Sequence, residues 1–209
     1  MELKGFAGVL NAWRKFGILG FAENLGLKIL SRFCRGRIER KLILMRDLKN
    51  TDMFDSGFEG FSFRRICPEE LEREDYVRLF QESDYYSAIG AFAPDGELAA
   101  QGWICFKTLG WKDSDDFGGG RDLEPGDVYF FKDWTAPKYR GRGLHKQILL
   151  ARLREVDALG YKRAVIRVDG FNRASRRGIE RAGFCCAESF FIVKAFGKIW
   201  NGMRYGKEA

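Results

Sequence analysis

The spacing of apolar and polar residues changes several times along the chain, and each spacing predicts a different element. Apolar residues recur three or four apart across 3–16 and 21–33, which is the stripe of an amphipathic helix. A short apolar run at 38–47 and strict alternation at 61–66 predict strands. A proline and three early acidic residues open the segment 68–82 and predict a helix.

The second half of the chain alternates strand and helix patterns. Residues 91–108 enclose the turn Pro94-Asp95-Gly96 and predict a β-hairpin. Further runs predict strand, helix, strand, helix and strand at 128–131, 144–159, 164–168, 174–182 and 190–196. The run at 164–168 is of the buried, parallel type. The basic tail from Lys198 is expected to be peripheral.

Basic charge is concentrated at the start of the chain. The 209 residues carry a net charge of +7, and residues 1–50 hold eleven Lys and Arg against four acids. The remaining residues balance at 25 basic and 25 acidic side chains, so the excess is entirely N-terminal. A second part without net charge gives no argument for nucleic-acid binding. We therefore divide the chain into a basic extension, 1–50, and a main domain, 51–209.

Residues 1–34 need an explanation of their own. Charges break their apolar runs before the roughly 20 residues that a membrane span needs, and no small-residue cleavage site follows. Two basic amphipathic helices can pack on the main domain, or on a second copy of the chain to form a homodimer. They can equally lie on an anionic membrane surface with Trp and Phe inserted. Both interpretations stay open.

Cysteine usage bears on the compartment. Five cysteines, at 34, 67, 105, 185 and 186, form no C-x-x-C pair. Their odd number and the adjacency of two argue against a disulfide framework. We therefore expect a cytoplasmic protein, peripheral at most to the inner face of the membrane. A single histidine and scattered cysteines predict no metal site.

A glycine-rich basic turn at 140–143 joins the aromatic strand to the helix that follows. It reads R-G-R-G, so two glycines alternate with two arginines. The first N–H groups of a helix have no internal partner and carry partial positive charge, and glycine lets the backbone approach a ligand closely. A phosphate held on those amides is one interpretation of this turn, and a solvated basic turn is the other.

The same segment resembles motif A of the GNAT acetyltransferase superfamily. That motif has Arg or Gln, two residues, Gly, one residue, then Gly or Ala. Its six positions fall on Arg140, Gly141, Arg142, Gly143, Leu144 and His145. Downstream, N-R-A-S at 172–175 and Gly183-Phe184 resemble motif B at the family's usual separation. The resemblance covers 129–193 well, reaches back to Phe61 and is absent before it.

This resemblance implies a fold, a ligand and a reaction. The fold is α/β (α+β), with a mixed, mostly antiparallel sheet flanked by helices, to which this chain adds an N-terminal helical segment. GNAT enzymes transfer an acyl group directly from acyl-CoA, here acetyl-CoA, to an amine acceptor. The backbone of 140–145 would hold the pyrophosphate. Trp134, Thr135 and Ala136 would bind the pantetheine arm, with a backbone N–H polarising the thioester carbonyl.

Other positions are assigned with more alternatives. Asn172 and Ser175 would contact the cofactor at the start of the motif B helix. His145 stands where Gly or Ala is usual, and we expect it to face solvent rather than act as a base. Ile179 occupies the position where many family members place a Tyr general acid, so no acid is carried over. Asp133 is a general-base candidate if burial raises its pKa, and a salt-bridged carboxylate otherwise.

The sequence therefore predicts an N-acetyltransferase that uses acetyl-CoA and a small amine or amino sugar. A non-catalytic CoA-binding sensor or scaffold is one alternative, because no acid or clear base is present. A membrane-surface module built on residues 1–34 is another. The acidic loop at 112–127 is either a rim on the acceptor side or a solvated loop.

Overall fold

The computed structural model describes residues 25, 26, 29, 36–48, 58, 60–71, 85–106, 123–195 and 198–205. The helix predicted at 3–16, the acidic loop up to 122 and most of the segment 68–82 lie outside these residues. Within 21–33, Leu25, Gly26 and Ile29 are helical. None of the helices in the described part of the chain has the length and apolar content of a membrane span.

Among the described residues, eight strands form one sheet in the order β2-β3-β4-β5-β6-β1-β7-β8. The strands are β1 (Gly36–Asp47), β2 (Ser62–Arg65), β3 (Tyr86–Phe92), β4 (Leu98–Cys105), β5 (Asp127–Thr135), β6 (Arg163–Asp169), β7 (Cys185–Ala195) and β8 (Lys198–Tyr205). Only β5 and β6 pair in parallel. Two helices, α1 (Leu144–Ala158) and α2 (Arg173–Arg181), follow β5 and β6. The mixed, mostly antiparallel sheet predicted from the sequence is confirmed.

Strand β1 corrects the division of the chain at residue 50. It lies between β6 and β7 and pairs antiparallel with both, so that Lys41 opposes Asp169 on one side and Phe190 on the other. Leu42, Ile43 and Leu44 are completely buried, as expected for an apolar run covered on both faces. Residues 36–47 therefore belong to the main sheet and not to a separate extension.

Two further predictions are wrong in detail. The basic tail from Lys198 is not peripheral, because it forms β8 and pairs with β7 at the edge of the sheet. Charged side chains are common on edge strands, since one side of such a strand stays unpaired. Pro68–Glu70 is a single 3₁₀ turn, and Leu71 after it is extended, so no continuous helix runs on from Pro68. The Glu70 carboxylate turns back to accept the Cys67 N–H.

The sheet has two distinct faces because side chains alternate along each strand. On one face, which we call the helix face, Val128, Phe130 and Ile166 pack with the apolar side of α1, including Leu149 and Leu153. Burial of each such side chain contributes about 1.5–3 kcal/mol. The other face, which we call the open face, carries a second cluster. Its members include Ile43, Tyr129, Val165, Phe190 and Ile192.

A β-bulge in β5 lies next to the point where β5 stops pairing with β6. Trp103 pairs with Phe131 and Gln101 with Trp134, so β5 has one residue more than β4 over this stretch, which defines a β-bulge. Lys132, inside the bulge, has a φ of +50°, a conformation that costs a non-glycine residue energy. The parallel pairing of β5 with β6 ends at Phe130. Beyond that point, a gap opens between the two strands.

Candidate functional site

The turn between β5 and α1 is an open backbone surface. A 3₁₀ turn (Pro137–Tyr139) follows the strand, and Gly143 precedes the first helical residue. Gly141 and Gly143 have φ values of +79° and +85°, which glycine adopts without strain. A Cβ atom at Gly141 would meet nothing within 4 Å, and one at Gly143 only the Phe58 ring at 4.0 Å. The glycines are therefore needed for backbone conformation, and the space before the turn is open.

The first turn of α1 has the features of an anion site. No side chain caps it, and it contains no acidic residue. Uncapped amides carry partial positive charge, and Arg140 and Arg142 are exposed beside them. An anionic group such as a phosphate fits this arrangement. The residues predicted to hold a pyrophosphate are thus brought together in one turn.

Side chains around the turn fix its shape. Arg140 Nε donates to the Thr135 carbonyl over 3.0 Å. Lys138 forms an ion pair with Glu97, and the Tyr139 ring packs edge-on against Phe61. The guanidinium of Arg142 lies 5.7 Å from the centre of the Tyr139 ring. These contacts tie the turn to the β3–β4 hairpin and to the segment before β2.

The end of β5 offers one backbone donor toward the gap. Ala136 N–H already donates to Ala99 O over 2.9 Å. Bonded and non-bonded pairs alternate in an antiparallel ladder, so the neighbouring Thr135–Ala100 pair turns the backbone groups of Thr135 away from β4. Of the three residues predicted to bind the pantetheine arm, Thr135 thus directs its N–H into the gap. Trp134 adds a half-exposed indole, and Ala136 is buried.

The start of α2 is capped by Asn172. Its side-chain oxygen accepts the Ser175 N–H over 3.3 Å, which is an ordinary N-cap contact. Both residues are only partly exposed. Within the part of the chain that the structure describes, no side chain accepts a hydrogen bond from Asn172 Nδ2, so this group can donate to a ligand. The cofactor contacts of Asn172 and Ser175 remain predictions.

Three ionisable residues form a buried cluster on the helix face, which we call the Asp133 cluster: Asp133, His145 and Arg152. His145 Nε2 lies 3.0 Å from Asp133 Oδ2, and because a carboxylate only accepts, the ring donates. Arg152 Nη2 lies 2.6 Å from Asp133 Oδ1 in an ion pair, and Arg152 Nη1 donates to the Trp103 carbonyl over 2.8 Å. The Arg152 side chain is 0% exposed.

Neighbouring residues leave just enough room for this cluster. The guanidinium of Arg152 lies over the Phe130 ring, 4.4 Å from its centre. A Cβ atom at Gly102 would come within 2.6 Å of that guanidinium, and one at Gly178 within 2.5 Å of His145 Nδ1. The imidazole is therefore wedged between the first turn of α1 and the middle of α2.

The cluster decides between the two alternatives for Asp133 and corrects the expectation for His145. Burial alone would raise the pKa of the Asp133 carboxyl, but the charge of Arg152 and the hydrogen bond from His145 hold that pKa below its ordinary value. The raised pKa that a general base would need is therefore absent, and the salt-bridged alternative describes Asp133. His145 does not face solvent, because its side chain is only 24% exposed and is bonded to Asp133.

Ile179 lies in the core. Its side chain is 1% exposed and packs within the cluster that joins α1, α2 and the helix face. This position therefore contributes to packing and supplies no acid. Among the described residues, no group of His, Cys, Asp and Glu could hold a metal ion.

A cavity of about 240 Å³ lies on the open face, beside the gap between β5 and β6. Its lining includes Lys41, Tyr129, Phe131, Lys132, Arg167 and Asp169. Sequence reasoning missed this site. The available signal was charge within the strands that border the cavity, Lys41 next to the apolar run of β1 and Arg167 between Ile166 and Val168 of β6.

Several solved structures share the fold of this chain. A GCN5-related N-acetyltransferase from Sphaerobacter thermophilus matches with a TM-score of 0.56 over 88% of this chain and 58% of that one, at 15% identity. A glucosamine N-acetyltransferase region of a fungal multi-domain GH3 β-N-acetylglucosaminidase matches with a TM-score of 0.58 over 81% of this chain and 22% of that one, at 18% identity.

A tandem GNAT protein from the clavulanic acid biosynthesis pathway matches with a TM-score of 0.55 over 80% of this chain, at 17% identity. This chain spans 57% of its length. No family model and no curated protein matches the sequence. The structural matches show that the chain has the fold of the GNAT acetyltransferases.

Proposed function

We propose that this chain is an acyl-CoA-dependent N-acyltransferase that transfers an acetyl group from acetyl-CoA to an amine. The observation that carries the proposal is the uncapped first turn of α1, which faces open space directly beside the gap between β5 and β6. The neighbours named as N-acetyltransferases support the same reaction class.

Each part of the site has a role in this proposal. Acetyl-CoA would supply an acetyl group activated as a thioester. The amides of 140–145 bind the pyrophosphate, with Arg140 and Arg142 adding positive charge. The Thr135 N–H, directed into the gap, polarises the carbonyl that the amine attacks. Asn172 donates from Nδ2 to the pantetheine arm.

In this proposal, water and not a side chain accepts the proton of the amine and protonates the leaving thiolate. Asp133 is a poor base, because Arg152 and His145 stabilise its ionised form. Ile179 cannot protonate a leaving thiolate. A positioned general acid or base typically contributes 10²–10⁴-fold, and we expect this chain to lack that contribution.

Thermal unfolding with acetyl-CoA tests cofactor binding. Ligand at 100 times its dissociation constant should add about 2.7 kcal/mol to the free energy of unfolding. For a chain of this size that corresponds to a rise in Tm of roughly 5–10 °C. Gly143→Glu should abolish the rise, because it places a carboxylate on the pyrophosphate turn.

Gly160→Glu is the matched control. Gly160 has a φ of +80°, and a Cβ atom there would meet nothing within 4 Å, so the backbone strain is the same at the other end of α1. This variant should keep the full ligand-induced rise. An unchanged Tm of the wild-type protein at millimolar acetyl-CoA would contradict the proposal. A rise lost in both variants would show a general effect of strain.

A non-catalytic CoA-binding protein is the second candidate. It is favoured by the absence of a general acid at Ile179 and by the closed state of the Asp133 cluster. Release of CoA thiol with a panel of amines separates the two functions. Binding of acetyl-CoA without turnover of any amine would support the sensor.

The basic segment 1–34 carries a separate proposal of membrane-surface contact. Because it rests on charge, binding to vesicles that contain anionic lipid should fall steeply as salt rises. Deletion of residues 1–34 should abolish it. Absence of binding at low salt would contradict membrane contact and leave packing on the domain or on a second copy.

A further inference from the structure

A side-chain hydrogen bond joins the end of β5 to the first turn of α1. Asp133 lies in β5, two residues before Thr135, whose N–H is directed into the gap. His145 is the second residue of α1 and belongs to the turn proposed to hold the pyrophosphate. Its Nε2 donates to Asp133 Oδ2 over 3.0 Å. This bond links the two parts of the proposed cofactor site, in addition to the contact of Arg140 with the Thr135 carbonyl.

The β-bulge in β5 directs Asp133 toward α1. Phe130 packs with α1 on the helix face, and side chains alternate along a regular strand. In a regular strand, Asp133 would therefore lie on the open face. The extra residue in β5 returns it to the helix face, and Lys132 inside the bulge takes the strained φ of +50°. Backbone strain is thus accepted where it brings the Asp133 carboxylate to His145.

Both partners of this hydrogen bond are also held from other sides. Arg152, which is 0% exposed, pairs with Asp133 Oδ1 over 2.6 Å. Gly178 of α2 lies against the imidazole, since a Cβ atom at Gly178 would come within 2.5 Å of His145 Nδ1. Moving either side chain would break one of these contacts. The Asp133 cluster therefore constrains the position of the first turn of α1 relative to the end of β5.

From this geometry we infer that Asp133 and His145 are positioning residues of the proposed cofactor site. They keep the amides of 140–145 at a fixed distance from the Thr135 N–H, so that one ligand contacts both. Neither residue touches the reacting atoms. A misplacement of about 1 Å in such a site can cost roughly 10²-fold in rate. The inference rests on the proposed binding of acetyl-CoA and names the side chains that shape its site.

Two substitutions of similar length test the role of the His145 donor. His145→Gln keeps an N–H donor at about the reach of Nε2, whereas His145→Met has no donor. Isothermal titration measures the dissociation constants of CoA and of pantetheine, which lacks the pyrophosphate. His145→Met should weaken CoA binding by about tenfold, as expected when a hydrogen bond to a carboxylate is lost, and leave pantetheine unchanged. His145→Gln should bind CoA within about twofold of the wild-type protein.

The two ligands separate positioning from a general loss of structure. A poorly folded site would weaken CoA and pantetheine alike, and that result would overturn the inference. Equal losses of CoA affinity in His145→Gln and His145→Met, or no loss in His145→Met, would also overturn it. Arg181→Gln, an exposed arginine at the end of α2, is the control and should bind both ligands as the wild-type protein does.

Nitrogen NMR of the wild-type protein is a second measurement that needs no variant. His145 is the only histidine in the chain, so in a protein without an affinity tag its ring signals are unambiguous. We expect a protonated Nε2 that is hydrogen-bonded to a carboxylate, both with and without CoA. A neutral ring protonated on Nδ1 instead would overturn the inference.

Failure of this inference is distinguishable from failure of the proposed function. If CoA binds equally well to the wild-type protein and to His145→Met, the cofactor site stands and only the positioning role is lost. If CoA does not bind the wild-type protein, the proposed function is overturned and the positioning role falls with it.

Discussion

Charged side chains lie on both faces of the sheet around β5, but their surroundings differ. On the helix face, Asp133 is enclosed by Arg152 and His145, and Arg152 has no exposed surface. On the open face, Arg167 and Lys132 border a cavity of about 240 Å³. The charged side chains on the helix face are buried against one another, and those on the open face line a cavity.

This difference in burial predicts different effects of substitution on the free energy of unfolding. A buried ion pair is costly to break because its remaining partner stays buried and unpaired. Charges at a cavity keep much of their solvent, so their loss changes binding more than folding. We therefore expect substitutions on the helix face to lower the free energy of unfolding more than those on the open face.

The largest effect is expected from Arg152→Met. It leaves the Asp133 carboxylate buried without its cation and should lower the free energy of unfolding by about 3–5 kcal/mol. Arg167→Met, the matched arginine on the open face, should cost about 1 kcal/mol or less. Urea denaturation measures both. Equal losses for the two arginines would remove the distinction between the faces.

Gly178→Ala tests the wedge formed by His145. The new Cβ atom would come within 2.5 Å of the ring, so we expect a loss of about 1–3 kcal/mol from overpacking. The double variant with His145→Ala should recover most of that loss, because the ring is then gone. Denaturation of the two single variants and the double variant completes the cycle. Additive effects would mean that α2 does not press on His145.

The pH dependence should follow the lowered pKa of Asp133. Its contribution to stability is fully present above the unfolded value of about 3.9, and is lost as pH falls through the lower folded pKa. Asp133→Asn should lack this part of the acid-induced loss in denaturation curves. For catalysis, kcat/KM should show no change due to Asp133 between about pH 5 and 9. A limb near neutral pH that disappears in Asp133→Asn would contradict the assignment.

Lys132→Gly should have the smallest effect on folding. Relief of the left-handed conformation, worth roughly 1–2 kcal/mol, is offset by the greater freedom of glycine in the unfolded chain. The free energy of unfolding should therefore change by no more than about 1 kcal/mol. A large loss of stability would place Lys132 among the structural charges.

Contiguous features of the site were readable in the sequence. Two glycines followed by an amphipathic run are enough to indicate that a helix begins after the turn at 140–143 with uncapped backbone amides. The start of α2 was readable for the same reason, because Asn172 caps its own helix. Such features depend on neighbours along the chain.

Features that join distant strands were misassigned. The sequence predicts that His145 faces solvent. Its partner Asp133 lies on the far side of a turn and a β-bulge, and residue spacing does not show that the two side chains meet. The sequence left two alternatives for Asp133, and the salt-bridged one holds because Arg152, nineteen positions later, forms an ion pair with it and keeps its pKa low. Strand β1 was placed in an extension, since no local pattern tells which strands will flank it.

The sequence by itself determined the alternation of strands and helices, the glycine turn with open amides before α1, and the absence of a Tyr at position 179. These are set by periodicity, backbone conformation and residue type, which are local. Only the tertiary structure decided the neighbours of each charge. Closing Asp133 with Arg152, and bringing Lys41 of β1 beside Arg167 of β6, required strands far apart in the chain to pair in one register. The burial of each charge therefore depends on this pairing and not on its neighbours along the chain.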